Sequence, residues 1–196
     1  MNPVFVTGGT GYLGRPFIEE LLARGCEVHA LDATSFCDAI PAGATIVHLV
    51  GTPHPSPAKA AEFLSVDLAS TRAATTAATE AGAAHFVYVS VAHPAPMMKA
   101  YIAARVAGEA LVSATGIPAT ILRPWYVLGP GHRWPYVLVP FYAILRAIPA
   151  TRASAARLGL VSHREMISAL VRAVATAPTS GVRTVEVPGI RSGDSG

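Results

Sequence analysis

Lysine is nearly missing from this chain: Lys59 and Lys99 stand among fifteen basic residues, the rest arginine. The formal charge is only +3 and no dense basic run occurs, which excludes a nucleic-acid footprint built on clustered cations. Cysteine is equally rare, and Cys26 and Cys37 have no paired-ligand spacing. That removes a disulfide framework and fits a reduced, cytoplasmic compartment. Met1 to Gly8 carries no basic segment followed by an apolar run of signal length. The longest apolar stretch, Tyr136 to Leu145, is too short to span a bilayer. Charged residues are 14% of the chain but hydrophobic ones 52%, so the low charge does not signal disorder.

What is present is an alternation of short apolar runs with longer helical ones. Strands are expected at Pro3–Thr7, Glu27–Leu31, Thr45–Val50, His85–Ser90 and Pro118–Leu122. Helices are expected at Pro16–Arg24, at Ala58–Ala81 before Gly82, and at Met98–Thr115 before Gly116. Later come a helix at Tyr136–Ile148 interrupted by Pro140, a strand at Leu158–Val161, a helix at Arg164–Ala177, an edge strand at Val182–Val187 and a loose tail at Ser192–Gly196. Strands alternating with helices predict a parallel sheet covered on both faces, a doubly wound α/β domain of Rossmann type. One domain spans 1–196, with a core at 1–122 and a substrate-side portion at 123–191.

Between the first strand and first helix lies Thr7-Gly8-Gly9-Thr10-Gly11-Tyr12-Leu13-Gly14. Gly9, Gly11 and Gly14 satisfy G-x-G-x-x-G, and Gly8, Gly11 and Gly14 satisfy the related seven-residue spacing. Glycine allows a tight turn, close backbone approach to a pyrophosphate and tight helix-to-strand packing. The helix N-terminus then offers free N–H groups and partial positive charge to phosphate. Asp32 ends the second strand at the expected separation, where a carboxylate accepts from ribose hydroxyls and repels a 2′-phosphate. These residues predict a dinucleotide cofactor, NAD, with NADP left open by Arg15 and Arg24.

The chain resembles the short-chain dehydrogenase/reductase superfamily, in its extended or atypical branch, over nearly its whole length. TGGTGYLG resembles the N-terminal signature, and Ile46–Gly51 (IVHLVG) the third-strand segment beside the adenine. Phe63–Thr71 resembles F-x-x-V-N-x-x-x-T, with Asp67 where Asn is usual. HFVYVS resembles the strand that carries the catalytic serine, here Ser90. Tyr101-Ile-Ala-Ala-Arg105 falls where Y-x-x-x-K belongs, and Leu122–Pro130 resembles the R-P-x-x-V-Y-G-P run. The resemblance implies that Gly8, Thr10, Gly11, Tyr12, Leu13, Gly14, Asp32, Leu49, Val50, Gly51 and Pro124 line the cofactor site. It also implies hydride transfer with Tyr101 as acid/base and Ser90 bonded to the substrate oxygen.

Arg105 departs from that pattern. Residues four apart share a helix face, so Arg105 can sit beside Tyr101, and its charge favours tyrosinate. A guanidinium does not exchange its proton, so a relay through it fails. Glu109 is placed to draw Arg105 along the helix, and a plain surface stripe of Tyr101, Arg105 and Glu109 is the bland alternative. Arg105→Lys is expected to leave turnover intact or raise it.

The seven histidines show no metal spacing, and no G-x-S-x-G elbow occurs. Trp125, Tyr126, Trp134 and Tyr136 follow the fifth strand and fit the wall of a pocket for an apolar or ring-bearing ligand, core packing, or a homodimer contact. The expected function is therefore oxidoreduction of a carbonyl- or quinone-like small molecule, without nucleic-acid or membrane partners. The rival is a dinucleotide-binding redox sensor or complex subunit without turnover, which the altered Y-x-x-x-K favours.

Overall fold

The computed structural model describes residues 2–31, 40–95, 97–129 and 158–194. Six parallel strands form the main sheet in the order β2-β1-β3-β4-β5-β8. They are β1 (Val4–Thr7), β2 (Val28–Leu31), β3 (Thr45–His48), β4 (His85–Val89), β5 (Ala119–Arg123) and β8 (Val182–Glu186). A separate parallel pair joins β6 (Tyr126–Leu128) to β7 (Leu160–Ser162). The strand order reverses direction between β1 and β3, which is where doubly wound sheets open a crevice beyond the strands' carboxyl ends.

Alternation along the strands divides the core into two layers. Val4, Val6, Val47, Val87 and Leu122 pack on one face with Phe17 and Leu21 of α1 (Gly14–Ala23). The same layer holds α5 (His163–Ala175) and Ile190 of the short helix Val187–Arg191. Phe5, Ile46, Phe86, Tyr88, Ala119 and Ile121 face the other way. They meet Ala74, Ala77 and Ala78 of α3 (Ala69–Glu80) and Val112 of α4 (Lys99–Ala114). Alanine on α3 lets that helix approach the sheet closely, which its many alanines make possible where larger residues would hold it away.

The helix expected at Ala58–Ala81 is one helical run with three geometries. A 3₁₀ turn (Pro57–Lys59) leads into α2 (Ala60–Glu62), a π segment (Phe63–Leu68) and α3. The π segment buries Phe63 and Asp67. A capping box starts α5: Glu165 N–H donates to Ser162 Oγ at 3.2 Å, and Ser162 N–H donates to Glu165 Oε2 at 2.6 Å.

Several expected boundaries shift. β3 ends at His48 rather than Val50, because Leu49 N–H is the last to bond β1 before the chain leaves the sheet. Tyr126–Leu128 is a strand that sequence pattern did not indicate, and its partner is Leu160–Ser162 rather than Leu158–Val161. Val187 opens a helix with Pro188 in its first turn instead of ending the edge strand, and Ser192–Asp194 is a 3₁₀ turn instead of loose chain. The expected helix Tyr136–Ile148, Trp134, Cys37 and Asp32 lie outside the described residues. Among the described residues, no helix is long and apolar enough to cross a membrane.

Candidate active site

The glycine loop is built so tightly that side chains are excluded at several points. Gly8 has φ +76°, and a Cβ there would lie 3.0 Å from the Leu49 carbonyl carbon and the Val50 nitrogen. A Cβ on Gly14 would lie 2.7 Å from Gly9 Cα and closer still to the Gly8 carbonyl oxygen. Gly11 N–H closes the turn onto Gly8 O at 3.1 Å. Leu13 gives α1 no side-chain cap, and no acidic residue lies in its first turn, so the helix end keeps its positive character. Gly11 is exposed at the mouth. This cradle could hold a pyrophosphate, which Gly8, Thr10, Gly11, Tyr12, Leu13 and Gly14 would surround, with Leu49 and Val50 packed against Gly8.

Tyr12 fastens the loop to the C-terminal half. Its ring meets the His163 ring edge-on at 4.8 Å, and His163 Nε2 lies 3.1 Å from the Tyr12 carbonyl oxygen. Gly129 leaves room for the Tyr12 hydroxyl.

Polar residues of one strand parity gather at the carboxyl ends: Thr7, His48, Tyr88, Ser90 and Arg123 all face the α4 side. His48 is fully buried, within 2.8 Å of Thr7 Oγ1 and 3.3 Å of Ser70 Oγ. Burial first, and the Arg105 charge second, lower its pKa to about 3, so it remains a neutral core histidine. It stacks on Tyr88 at 6.0 Å. Tyr88 is itself raised by burial, against the opposing pull of Arg105.

Over this floor α4 lays Ala104, Arg105, Gly108, Glu109 and Val112 inward. Arg105 and Glu109 are only 6% and 7% exposed, so the surface-stripe alternative does not hold for them. Glu109 does not draw Arg105 away. It takes two hydrogen bonds from Arg123, Nε at 2.9 Å and Nη2 at 2.5 Å, and one from Ser90 Oγ at 2.5 Å. Burial alone would raise the Glu109 carboxyl, but bonds from Arg123 and Ser90 and the Arg123 charge hold it below its ordinary value. Arg123 also reaches Glu186 of β8 at 2.9 Å, and His93 Nε2 lies 3.6 Å from Glu109 Oε1.

Arg105 turns toward Asp67, with Nη2 2.6 Å from Oδ1 in a charge contact rather than an aligned hydrogen bond. Its Nη1 donates to Val89 O at 3.0 Å. Asp67 Oδ2 accepts from Thr52 N–H at 3.0 Å and Thr52 Oγ1 at 2.5 Å. Burial opposes the Arg105 charge, but Tyr101, Tyr88 and Asp67 outweigh it and keep the guanidinium protonated beyond its ordinary range. Gly51 makes space for Arg105, whose Nη2 occupies the place a Cβ would take.

Tyr101 is half-buried in the first turn of α4. Its ring lies between Phe63, edge-on at 5.1 Å, and the Arg105 guanidinium carbon, 5.3 Å from its centroid. Among the described residues, no hydrogen bond joins Tyr101 to Ser90. Pro124 follows β5, and its carbonyl accepts from Ala92 N–H at 2.8 Å, tying the Ser90 loop to the β5 exit. Asp67, Thr52, Glu109 and Arg123 were not assigned places in the site from sequence. The signal for Glu109 was its position, four residues from Arg105 on a helix face otherwise lined by Ala104, Gly108 and Val112.

The model of the NAD dependent epimerase/dehydratase family matches residues 4–176. The chain belongs to that family. It is thus a member of the short-chain dehydrogenase/reductase superfamily, in its extended or atypical branch, with the six-stranded parallel sheet described above. No curated protein matches the sequence. Among solved structures, a short-chain dehydrogenase/reductase superfamily protein from Agrobacterium tumefaciens with bound NAD aligns at TM-score 0.70 and 18% identity, over 94% of this chain and 77% of that one. UDP-N-acetylglucosamine 4-epimerase from Bacillus cereus gives TM-score 0.66 and 18% identity, over 95% and 79%. A human epimerase family protein with NADPH gives 0.68 and 19%, over 95% and 74%. At such identities these likenesses bear on the fold of this epimerase/dehydratase family member.

Proposed function

We propose that this family member binds NAD(P) in the Gly8–Gly14 cradle and exchanges hydride with an apolar or ring-bearing carbonyl- or quinone-like small molecule. The observation that carries this reading is the half-buried Tyr101 ring with the Arg105 guanidinium 5.3 Å from its centroid, on the helix packed beside Ser90. The bound dinucleotide supplies the hydride chemistry. In the reducing direction the Tyr101 hydroxyl would give its proton to the substrate oxygen, the hydride for the adjacent carbon being what the dinucleotide would supply, and water would reprotonate the phenolate. Arg105 supplies fixed positive charge beside that phenolate and exchanges no proton. Ser90 donates its one hydroxyl proton to Glu109, so toward a substrate it offers lone pairs, which suit an alcohol or hydroquinone hydrogen. Trp125 and Tyr126, edge-on at 5.6 Å, stand just past β5 and supply an aromatic wall.

A second reading, a dinucleotide-binding sensor without turnover, is favoured by one observation. Both groups that would support Tyr101 are already engaged, Ser90 by Glu109 and Arg105 by Asp67. Oxidation of NADH and NADPH, followed at 340 nm against menadione and ring-bearing carbonyls, separates the two. Slow turnover that falls about 10²- to 10⁴-fold in Tyr101→Phe supports the enzyme. Turnover that survives Tyr101→Phe defeats the acid/base role, and dinucleotide binding without turnover on the whole panel supports the sensor.

A further inference from the structure

The chain departs from the family's pattern at two positions far apart in sequence, Asp67 for Asn and Arg105 for Lys, and the fold puts these two residues in contact. We propose that Asp67 is a positioning residue for Arg105, and that the two form one unit which exchanges with an Asn–Lys pair only when both positions change together. The proposal rests on the reading of Tyr101 given above.

Asp67 is completely buried and its two oxygens have divided tasks. Oδ2 holds the backbone and hydroxyl of Thr52, and Oδ1 faces the guanidinium. An asparagine at 67 has one acceptor oxygen and one donor amide. With the oxygen kept on Thr52 N–H, the amide would point its hydrogens at Arg105, which has only donors. A buried guanidinium would then have lost its counter-charge, so Asp67→Asn alone is the damaging change. Arg105→Lys alone is different in kind. The ammonium is a compact charge on a flexible stem, and the nearest buried anion is Asp67. Lysine at 105 is therefore captured by that carboxylate and kept from the Tyr101 hydroxyl. Asparagine at 67 releases it, because the neutral amide holds no charge against the ammonium, whose flexible stem can turn away from the amide hydrogens. The lone Arg105→Lys exchange, expected from sequence to preserve or raise turnover, thus gives little by itself.

Three variants test this: Asp67→Asn, Arg105→Lys and the double change. Each is followed by thermal unfolding of the apoprotein and by NADH oxidation with menadione. Arg105→Lys alone lowers turnover, because the captured ammonium no longer stands beside Tyr101, whereas the double variant exceeds Arg105→Lys by at least about tenfold, within the span of general acid–base assistance. In unfolding, Asp67→Asn melts lowest, and adding Arg105→Lys raises its midpoint. Should Asp67→Asn not accumulate folded, recovery of a folded double variant carries the same conclusion. A tenfold gain in Arg105→Lys alone overturns the proposal. So does a melting shift in the double variant equal to the sum of the singles, since uncoupled sites add, or a double variant as unfolded as Asp67→Asn. The unfolding arm does not depend on turnover. Turnover that survives Tyr101→Phe defeats the acid/base reading and leaves the coupling of 67 and 105 still measured.

Discussion

Two glycines of the same loop should fail in opposite ways when given side chains. At Gly14 a Cβ meets only backbone, at 2.7 Å from both the Cα and the carbonyl oxygen of Gly9, with the Gly8 oxygen nearer still. No rotamer change relieves such a contact, so loop and helix must separate. Overpacking of this kind costs about 1–3 kcal/mol, and the rigid surroundings put Gly14→Ala at the upper end. For a chain of this size that lowers Tm by roughly 6–12 °C, at about 2–4 °C per kcal/mol. At Gly11 a Cβ meets only the Gly8 oxygen, at 3.2 Å, and the residue is exposed. Gly11→Val should fold with Tm within about 2 °C of wild type, as surface changes usually do. Its methyls stand instead in the mouth of the cradle, where phosphate must approach the backbone. Calorimetric titration with NADH should show affinity lower by at least about tenfold, or about 1.4 kcal/mol. A folded Gly11→Val protein that binds NADH and NADPH as tightly as wild type would refute the placement of the pyrophosphate.

Asp32 predicts roughly 10- to 100-fold tighter binding of NADH than of NADPH; Arg24 is already bonded to Glu20 at 2.7 Å, and titrations giving equal or tighter NADPH binding would contradict the prediction. His48 and His85 are held neutral in the fold, at about 3 and about 4, against 6.5 in the unfolded chain. Both values are depressed, so the unfolded chain binds more protons below pH 6.5 and stability falls as pH drops toward 4. The slope approaches about 1.4 kcal/mol per pH unit for each histidine, urea unfolding across pH 7 to 4 should show it, and His48→Gln should flatten it. Glu109→Gln removes the charge facing Arg123 and turns an amide donor toward one of its donors, at a cost of about 3 kcal/mol, the lower end for a buried pair because Glu186 still holds Arg123. An unchanged melting temperature in Glu109→Gln would contradict it.

Much of the fold was legible because its signals are local. Gly8–Gly14 states its geometry through spacing alone, and the alternation in Phe86-Val87-Tyr88-Val89-Ser90 marks which residues face which layer. Tyr126–Leu128 was illegible because a three-residue strand has no period to detect, and its pairing is set by a partner beyond Leu158. The π segment was hidden for a related reason: Ala58–Ala81 reads as helix under either hydrogen-bond pattern, and only packing of Phe63 on Tyr101 and Asp67 on Arg105 selects the wider turn. In the candidate site, Tyr101 and Arg105 could be named through the resemblance to Y-x-x-x-K, and their spacing puts them on one helix face. Their partners could not, since Asp67, Thr52 and Arg123 come from other elements and single-sequence periodicity carries no information about contacts between elements. Charged residues at 105 and 109, on the face lined by Ala104, Gly108 and Val112, were the one sequence sign that ion pairs lay buried there.

The fastening of Tyr12 to His163 ties events at the ribosome to the chemistry of the cradle. The two residues are 151 positions apart, so the glycine loop is synthesised well before its brace. At about 5–20 residues per second the gap is roughly 8–30 s, during which β1 and α1 exist without the partner that steadies Tyr12. A nascent chain stalled before His163 emerges should therefore hold dinucleotide more weakly than one in which His163 has joined Tyr12, so firm cofactor capture waits on a residue far downstream of the motif.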